Sequence, residues 1–589
     1  MSSKTLLMVQ PVSRFPKSVW RRQLFATSIL PLLLSLSSPL TALHAAPVPD
    51  AGSILRDQQK SLQQPTELPP REKETTPPAT TGEGVRVTVM QFTFSGYEGV
   101  ATEAELQALV ADARGKTLSI GELHALADKI TAYFRTKGWS QVRASIPAQD
   151  ITSGTVNIEI IQHKSDRLAV IKRDKTVRIS DRLLRRFIEP SVHPDQATNE
   201  HELERSLLLL NDLPGLSTRA TFVPGSAPGA SNVEVTVTEG PLFSGTIWLD
   251  NQGNRYTGAW RGNAMLSLND PLHRGDQMSL LFTTSSGLTQ SRIGYSIPIA
   301  SNGLRANLTW TGMHYELGEE LASLQYKGRS NSIDAGLSYP VLRTRNANLT
   351  TSLSYGYRAL VDTKSDIDIR DKQINNATLT LSGDRYDKLF GGGYSSYNAA
   401  VTIGSLHESV ADISLTGAEG SYTRINLGLG RLQRLGDRVN LNIAGSTQLA
   451  LGNLDSSEKL SLGGPNGVRA YPIGEASGDE GMLLNADLRY MLPVAAAKGT
   501  LQLSLFYDAG HITINKERYA GDLSSATNRN DYWLQGFGVG LNYNFSSKAI
   551  LRATWAHVIG ENAGRSTTGT NADGLNDKSR YWLQAMFTF

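Results

Sequence analysis

Arg469 and Asp508 are the two residues whose types and positions best suit a specific polar interaction. Arg469 lies in a segment rich in glycine and proline, Leu462-Gly-Gly-Pro-Asn-Gly-Val-Arg-Ala-Tyr-Pro472, and Asp508 lies in Phe506-Tyr-Asp-Ala-Gly510. A guanidinium and a carboxylate form a charge-assisted, bidentate pair when both are partly removed from water. The sequence leaves two alternatives open: the pair fixes a loop, or Arg469 is a solvated cation while Asp508 lines a wet pore.

Catalytic motifs are missing from the sequence. It has no metalloprotease helix motif, no phosphate loop and no nucleophile elbow, its ten histidines are scattered, and it has no cysteine. Glycines recur at a period of two, which indicates small inward residues that leave lumen space rather than a nucleotide loop; they are Gly428, Gly430, Gly536, Gly538 and Gly540. We therefore predict that the chain is not an enzyme and binds no cofactor or metal.

Asp508 belongs to a segment that alternates between two kinds of face. Leu501, Leu503, Leu505 and Tyr507 share the apolar face, so that Gln502, Ser504, Phe506 and Asp508 share the other. Such segments, each of roughly ten residues and separated by Gly, Asn, Asp and Ser, continue to the terminal Phe589, which is typical of a transmembrane barrel. A soluble propeller or sandwich with an apolar interior is the alternative.

The alternation predicts a membrane β-barrel of about 16 antiparallel strands with a polar, wet lumen over residues 241–589. The strands are predicted to start near Ser244, Gly258, Gln277, Ser291, Gly303, Ser330, Ala347, Lys372, Tyr394, Ser421, Gly436, Gly481, Gly499, Trp533, Ala549 and Arg580. A long loop, from about Leu449 to Glu480, joins the eleventh strand to the twelfth and contains Arg469.

Two copies of a small α+β domain are predicted before the barrel, at residues 85–163 and 164–240. The first has a strand through Val85, Val87 and Val89, a helix from Thr102 to Ala113, a second helix that Ser119 and Glu122 cap and Gly138 ends, and strands 140–146 and 154–161. The second repeats this order, with a strand at 168–172, helices at 180–188 and from Asn199 through Leu210, and strands near 217–223 and 233–237.

The N-terminus carries an export signal in this interpretation. Five basic residues precede an apolar stretch, and small residues follow at Ala45 and Ala46, which predicts a signal peptide over residues 1–46. Pro31 and Pro39 interrupt the stretch and disfavour the alternative, a membrane anchor. Cleavage would shift the formal net charge from +3 to about −2, which gives a nucleic-acid partner no electrostatic support.

Residues 47–84 are predicted to hold one short helix and a linker. The helix, Ala51 to Gln63, has a sparse apolar stripe of Ile54, Leu55 and Leu62 and is too polar to fold alone, so we expect it to be tethered rather than integrated. A proline-rich stretch follows and behaves as an extended linker.

Several motifs together give the chain a specific resemblance. They are Ala51-Gly-Ser-Ile-Leu-Arg56, Leu210-Asn-Asp-Leu-Pro-Gly215, Leu249-Asp-Asn-Gln-Gly-Asn-Arg-Tyr-Thr-Gly258, Val468-Arg469-Ala470-Tyr471 and Phe506-Tyr507-Asp508-Ala509-Gly510. The chain with these motifs resembles the transporters of two-partner secretion of the FhaC and ShlB type (TpsB), in the outer-membrane-assembly superfamily that includes BamA.

The resemblance implies a plug helix with Ile54, Leu55 and Arg56, two POTRA domains in the periplasm, and a barrel in the outer membrane of a Gram-negative bacterium. It implies that the loop with Val468, Arg469, Ala470 and Tyr471 enters the lumen, where Arg469 pairs with Asp508 of the wall motif Phe506, Asp508 and Gly510. Ala470 stands where the family has glycine, so a backbone with positive φ there would be strained.

The implied function is an outer-membrane pore that recognises and secretes, and can activate, one large unfolded exoprotein. The exoprotein is an adhesin, a cytolysin or a contact-dependent toxin, which the sequence does not distinguish. The other implied partner is outer-membrane lipid, with no nucleic acid, and the chain is expected to be a monomer. A BamA-like chaperone for the assembly of outer-membrane proteins is the alternative function.

Overall fold

We describe a computed structural model of the chain. It describes residues 48–61, 86–175, 177–409, 416–493, 499–519, 522–523, 525–546 and 548–589. The predicted signal peptide and most of the predicted linker lie outside these residues. No helix within the described ranges combines the length and the apolar character that a membrane crossing requires.

The first element is helix α1 (Ala51–Ser61). Asp50 caps its N-terminus, because the Asp50 carboxylate accepts a hydrogen bond from the backbone N–H of Ser53 at 2.8 Å. The expectation of a tethered, unintegrated helix is wrong for this structure: Ile54 and Leu55 are fully buried within the barrel. Packing against the barrel supplies the apolar contacts that this polar sequence lacks by itself.

The first α+β unit has two small sheets. Its elements are β1 (Arg86–Thr88), β2 (Gln91–Ser95), α2 (Glu103–Val110), β3 (Thr117–Ser119), α3 (Ile120–Thr136), β4 (Val142–Ser145) and β5 (Thr155–Gln162). The predicted capping box of Ser119 and Glu122 begins α3. A strand forms where the first strand was predicted, but it is short and lies outside the main sheet. Only β1 forms there and it pairs with β3, whereas β2 enters the main sheet, whose order is β2-β5-β4.

The second unit repeats the order of the main-sheet strands and the two helices, as predicted, and its described residues form one sheet instead of two. Its elements are β6 (Val170–Arg173), α4 (Asp181–Ile188), α5 (Glu200–Asn211), β7 (Leu216–Pro224) and β8 (Ser231–Glu239), with sheet order β6-β8-β7. The side chain of Asn199 caps α5 through the N–H groups of His201 and Glu202.

The remaining strands close into one antiparallel barrel of 16 strands, and the predicted fold class is confirmed. They are β9 (Phe243–Asp250), β10 (Arg261–Asn269), β11 (Gln277–Thr284), β12 (Leu288–Pro298), β13 (Arg305–Glu316), β14 (Tyr326–Arg343), β15 (Ala347–Lys364), β16 (Ile367–Asp387), β17 (Gly393–Glu408), β18 (Gly420–Arg434), β19 (Val439–Ala450), β22 (Glu480–Leu492), β23 (Thr500–Thr513), β24 (Asp531–Asn544), β25 (Ala549–Ile559) and β26 (Ser579–Thr588); the pair β20 (Leu460–Ser461) and β21 (Ser477–Gly478) lies between β19 and β22. The predicted last strand closes the barrel on β9.

Alternating burial along the strands agrees with the predicted faces. On β23, Leu503, Leu505 and Tyr507 are exposed on the outer wall, whereas Phe506 and Asp508 are buried inside. The outer row belongs to the lipid-facing wall of a barrel and the inner row to its lumen. The strand register therefore turns Asp508 towards whatever occupies the lumen.

The second α+β unit contacts the barrel at one end. Arg343, at the end of β14, forms a bidentate pair with Asp212 at 2.7 and 2.8 Å, and Arg345 pairs with Glu204 of α5. Leu209 lies against the turn at Gly303. This contact identifies the end of the barrel that carries the α+β units.

Candidate functional site

The connection between β19 and β22, residues 451–479, folds into the barrel and is called the lumenal loop here. Leu462, Val468, Ala470 and Tyr471 of this loop have no exposed surface and pack on the inner wall of β22–β25. Backbone hydrogen bonds from Val468 to Leu462 and from Gly464 to Tyr471 fold its tip into a compact turn. The loop is thus a packed structural element inside the lumen.

Arg469 at the tip of the lumenal loop contacts Asp508 of β23. Its Nε and Nη2 donate to the two carboxylate oxygens at 2.8 and 2.6 Å, and its backbone N–H donates to Oδ2 at 3.0 Å. Nη1 donates to Asp487 of β22 at 2.8 Å. The guanidinium of Arg469 therefore joins two neighbouring strands. Its planar group of donors can bind two carboxylates in fixed directions, which the single ammonium of a lysine cannot do.

Electrostatics favour the charged form of this pair. Burial lowers the pKa of the Arg469 guanidinium, but the hydrogen bonds and negative charges of Asp508 and Asp487 raise it, and the net direction is upward. Asp508 has no exposed surface. Removal of either partner would leave a buried charge without compensation.

The other two residues of the predicted wall motif also serve the lumenal loop. The ring of Phe506 lies 3.5 Å from the guanidinium carbon of Arg469, a cation–π contact. A Cβ at Gly510 would come within 2.9 Å of the Leu462 side chain, so glycine leaves the space that Leu462 occupies. Phe506, Asp508 and Gly510 thus contact the loop from alternate positions of one strand face.

Ala470 is accommodated without backbone strain. It is not among the residues with positive φ, and its Cβ faces Gly536 of β24, where an added Cβ would lie only 2.6 Å away. Gly538 leaves similar room for Phe506. The prediction that these glycines leave lumen space is therefore incomplete, because loop and wall side chains fill that space.

The first arm of the lumenal loop is anchored to a separate group of strands, β15 to β18. The carboxylate of Glu458, which has no exposed side-chain surface, binds Arg358 of β15 at 2.5 Å and Arg424 of β18 at 2.6 Å. Asp455 binds Lys372 of β16 at 2.7 Å. The loop is thus fixed by charge pairs at two places on the inner wall, with its tip on β22–β23 and its first arm on β15–β18.

Helix α1 lies in the lumen between the loop and the wall. Ile54 and Leu55 join an apolar cluster with Tyr315, Leu360 and Leu454. The N–H of Ala51 donates to Asp362 of β15 at 2.9 Å, and Gln58 near the other end accepts from Arg261 of β10 at 3.1 Å. The helix therefore spans the lumen from one strand group to another.

The helix is also attached directly to the lumenal loop. Arg56 donates to the carbonyl of Ser456 at 3.1 Å and to the hydroxyl of Ser477 at 2.7 Å. Lys60 donates to the carbonyl of Ser461 at 2.6 Å, and its own carbonyl accepts from Asn466 at 2.9 Å. The three predicted plug-helix residues therefore make different contacts: Ile54 and Leu55 pack in the apolar cluster, and Arg56 binds the lumenal loop.

Comparison with known proteins agrees with this arrangement. The family described as haemolysin secretion/activation protein ShlB/FhaC/HecB matches residues 229–543, which is more than half of the chain, and the ShlB-type POTRA domain matches residues 87–162. The chain belongs to the ShlB/FhaC/HecB family. In this family the barrel lies in the outer membrane with the POTRA domains in the periplasm, and both hold for this chain.

Relatives of this ShlB/FhaC/HecB protein match along most of their length. A heme/hemopexin transporter protein, HuxB, of Haemophilus influenzae is 28% identical over 515 residues, which cover 85% of this chain and 87% of the relative. An outer membrane transporter, CdiB, of Escherichia coli is 24% identical over 515 residues, with coverage of 83% and 85%. The solved structure of CdiB from Escherichia coli superposes with a TM-score of 0.71 at 20% identity, covering 91% of this chain and 95% of that one, and shows the same fold.

The sequence contained signals for only some of the residues that hold the loop. Asn485 and Asp487 were assignable to the inner face by alternation, and both contact the loop: Asn485 donates to Asp508 at 2.7 Å and to the carbonyl of Gly467 at 2.9 Å. Trp582 donates to the carbonyl of Arg469 at 2.8 Å, and no sequence pattern indicated this contact. Glu458 and its two arginines were likewise not predicted.

Part of the lumen remains open beside the loop tip. A cavity of about 560 Å³ lies between the loop and the strands towards the POTRA end. Its lining includes a group of polar side chains, namely Asn440, Asn442, Asn485, Gln502, Asn542 and Asn544. Inward polar residues, which the sequence predicted, thus line this cavity, whereas the helix and the loop fill the region next to it.

Proposed function

We propose that this chain recognises one large unfolded protein in the periplasm and secretes it through the barrel. The observation that carries the proposal is the plugged lumen: an eleven-residue helix, held by side-chain and backbone contacts, lies inside the barrel and packs on apolar side chains of its inner wall. A plug of this kind can leave without rupture of the barrel's strand ladder. Membership of the ShlB/FhaC/HecB family supports export as the purpose of such an opening.

We propose that the POTRA domains receive the client. Each contains a three-stranded sheet, in orders β2-β5-β4 and β6-β8-β7, and thus has strands at its edges. An edge strand pairs with an extended chain through backbone hydrogen bonds, which suits an unfolded client of varied sequence. The second helix and the edge strand of the first domain, with their equivalents in the second, form the proposed docking surface.

We propose that Arg469 and Asp508 hold the lumenal loop in the position that shapes the channel. Their bond pins the tip to the wall, and the Glu458 cluster holds the first arm. No nucleotide motif is present in the sequence, so the free energy for transport comes from folding of the client outside the cell. The working unit in this proposal is a monomer.

Secretion assays on Arg469→Ala and Asp508→Ala test the role of the loop. We expect both variants to lose export while the barrel still assembles, as judged by heat-modifiable migration on gels. Arg292→Ala is the matched control, because Arg292 is also an inward arginine that lines the lumen but is not part of the loop. Unchanged export in either loop variant would remove the proposed role.

Deletion of the chain tests the function itself. Mass spectrometry of the culture medium and cell surface of matched strains should show the loss of one large exoprotein, with the other outer-membrane proteins unchanged. A broad fall of outer-membrane proteins would instead support a BamA-like assembly chaperone. The relatives HuxB and CdiB are described as a heme/hemopexin transporter and an outer membrane transporter, so they do not identify one common client. The deletion experiment is therefore the way to identify the client of this chain.

A further inference from the structure

The turn between β16 and β17 displays two large apolar side chains. Leu389 is 61% exposed and Phe390 is 88% exposed. Phe390 adopts a left-handed backbone conformation with φ of 50°, followed by Gly391 and Gly392 with φ of 93° and 98°. A bulky side chain is unfavourable in this region, so this conformation requires support from its surroundings.

Side chains of neighbouring strands supply that support. The amide nitrogen of Gln433 on β18 lies 3.0 Å from the carbonyl oxygen of Phe390, to which it donates, and within 3.1 Å of those of Leu389 and Gly392. The Leu389 carbonyl accepts from the backbone N–H of Gly392 at 3.0 Å, and the Gly392 carbonyl accepts from that of Arg434 at 3.0 Å. The backbone N–H of Leu389 donates to Asp387 at 2.9 Å, and Asp387 forms a bidentate pair with Arg431 at 2.5 and 2.9 Å. The turn is therefore held in place with its backbone carbonyls satisfied and its apolar side chains outward.

The supporting residues lie on the outer wall of the barrel. Arg431 and Gln433 occupy the same face of β18 as Leu427 and Leu429, which are 42% and 71% exposed. Since this face is the lipid-facing one, the turn is tied to the lipid side rather than to the lumen. Antiparallel alternation from β9 puts the turn at the POTRA end, the end where Arg343 contacts Asp212.

We propose that Leu389 and Phe390 form a finger that inserts into the periplasmic leaflet of the outer membrane and binds anionic phospholipid. Exposed Arg385 and Lys388 flank the finger, and cations at the edge of the acyl region attract phosphate headgroups. Satisfied carbonyls allow this backbone to lie where water is scarce. The finger would fix the height and tilt of the barrel near the second POTRA domain, and it does not depend on the proposed secretion.

Lipid fits this surface better than the client chain does. The finger continues the lipid-facing row of Leu427 and Leu429. Arg431 and Asp387, which lie between this row and the finger, pair with each other and carry no net charge together. A client that enters the lumen passes the inner face, where Tyr394 of β17 lies. The two occupants are distinguishable by the depth of the finger relative to the bilayer.

Site-directed spin labelling of the full chain provides the test. The sequence contains no cysteine, so Phe390→Cys and, in a separate chain, Leu389→Cys each introduce a unique label site. Asp366→Cys is the matched control, because Asp366 also has positive φ (62°) and an exposed side chain but lies in the hairpin at the opposite end of the barrel. Vesicles of phosphatidylethanolamine with and without phosphatidylglycerol, and accessibility to oxygen and to a nickel chelate, supply the measurement.

We expect the labels at 389 and 390 to have a severalfold higher ratio of oxygen to nickel accessibility than the label at 366. We also expect this ratio to fall when phosphatidylglycerol is omitted. Labels at 389 and 390 that are as accessible to nickel as the label at 366 would overturn insertion and favour an aqueous docking role. An unchanged ratio without phosphatidylglycerol would overturn the preference for anionic lipid.

Discussion

Arg56 of the lumenal helix donates to the backbone carbonyl of Ser456, which lies two residues before Glu458 on the first arm of the lumenal loop. The helix is therefore bound to the lumenal loop and not to the barrel wall alone. Glu458 in turn holds that arm to β15 and β18 through Arg358 and Arg424. Release of the helix thus changes the surroundings of the loop that carries Arg469.

Replacement of Arg56 should loosen the helix. Arg56→Ala removes the hydrogen bonds to Ser456 and Ser477, and hydrogen bonds from a charged donor contribute about 1.5–3 kcal/mol each. We expect the open fraction of pores in planar lipid bilayers to rise roughly tenfold or more. Gln59→Ala is the control on the same helix, because Gln59 makes no side-chain hydrogen bond within the described residues, and an equal rise in that variant would argue against a specific role of Arg56.

Lys60 should make closure of the pore depend on pH. Burial lowers the pKa of the Lys60 ammonium to about 8, with an opposing effect of Asp57 and a further lowering by Arg56. A released helix has the ordinary lysine pKa of about 10.4, so it binds more protons than the docked helix between these values. Docking therefore strengthens as the pH rises from about 8 to 10 and is weakest below that range.

The expected size of this effect is about tenfold in the closed fraction, because Lys60 is only half-buried and solvent screens part of its charge. Bilayer recordings of open probability between pH 7 and 10 measure it. Lys60→Met should flatten the profile. A profile that stays steep in this variant would assign the dependence to another group.

The contact between Gly536 and Ala470 should tolerate a methyl group on only one of the two residues. Gly536→Ala puts a Cβ within 2.6 Å of the Ala470 Cβ, so we expect displacement of the loop tip and loss of export. Ala470→Gly in the same chain removes the clash. Rescue should be partial, because the carbonyl of His557 would still lie 3.2 Å from the new Cβ.

Export assays on the two single variants and the double variant measure this pair. Ala470→Gly alone should retain export, since it only removes one methyl group from the contact. No improvement of the double variant over Gly536→Ala would show that the defect comes from β24 itself rather than from the loop.

Neutralisation of Glu458 should destabilise the barrel as well as the loop. Glu458→Gln leaves the buried Arg358 and the partly buried Arg424 without their carboxylate, and an uncompensated buried charge costs on the order of 3 kcal/mol. Urea unfolding in detergent micelles measures the loss. Glu419→Gln is the control, since that carboxylate is 62% exposed, and a similar loss in the control would point to a general charge effect.

The barrel was predictable because its signal is local. Each strand pairs with its neighbour along the barrel, so alternation of residue types suffices to find strands such as β23 and to turn Asp508 inward. Strand β2 was not found, since Gln91–Ser95 is short and follows directly on Val85 to Val89, whose clearer alternation belongs to the minor strand β1. Propensity alone does not separate two adjacent short strands.

The lumenal contacts were only partly predictable, because they join residues that are far apart in the sequence. Resemblance supplied the contact between Arg469 and Asp508, whereas the contacts of Glu458 with Arg358 and Arg424 depend on how the loop crosses the lumen. The fit of Ala470 against Gly536 is also a long-range relation. Strand periodicity places such residues on the inner face but does not choose their partners.

The covalent link between the lumenal helix and the rest of the chain bears on how the pore closes again. Helix α1 ends at Ser61 and β1 begins at Arg86, so 24 residues join them. Even fully extended, a chain of this length reaches no more than about 86 Å. A released helix thus stays at a high effective concentration near its own lumen, and its return is an intramolecular step whose rate does not depend on the number of pores in the membrane. In the proposed mechanism each pore therefore keeps its own plug, and closure after transport needs no second molecule.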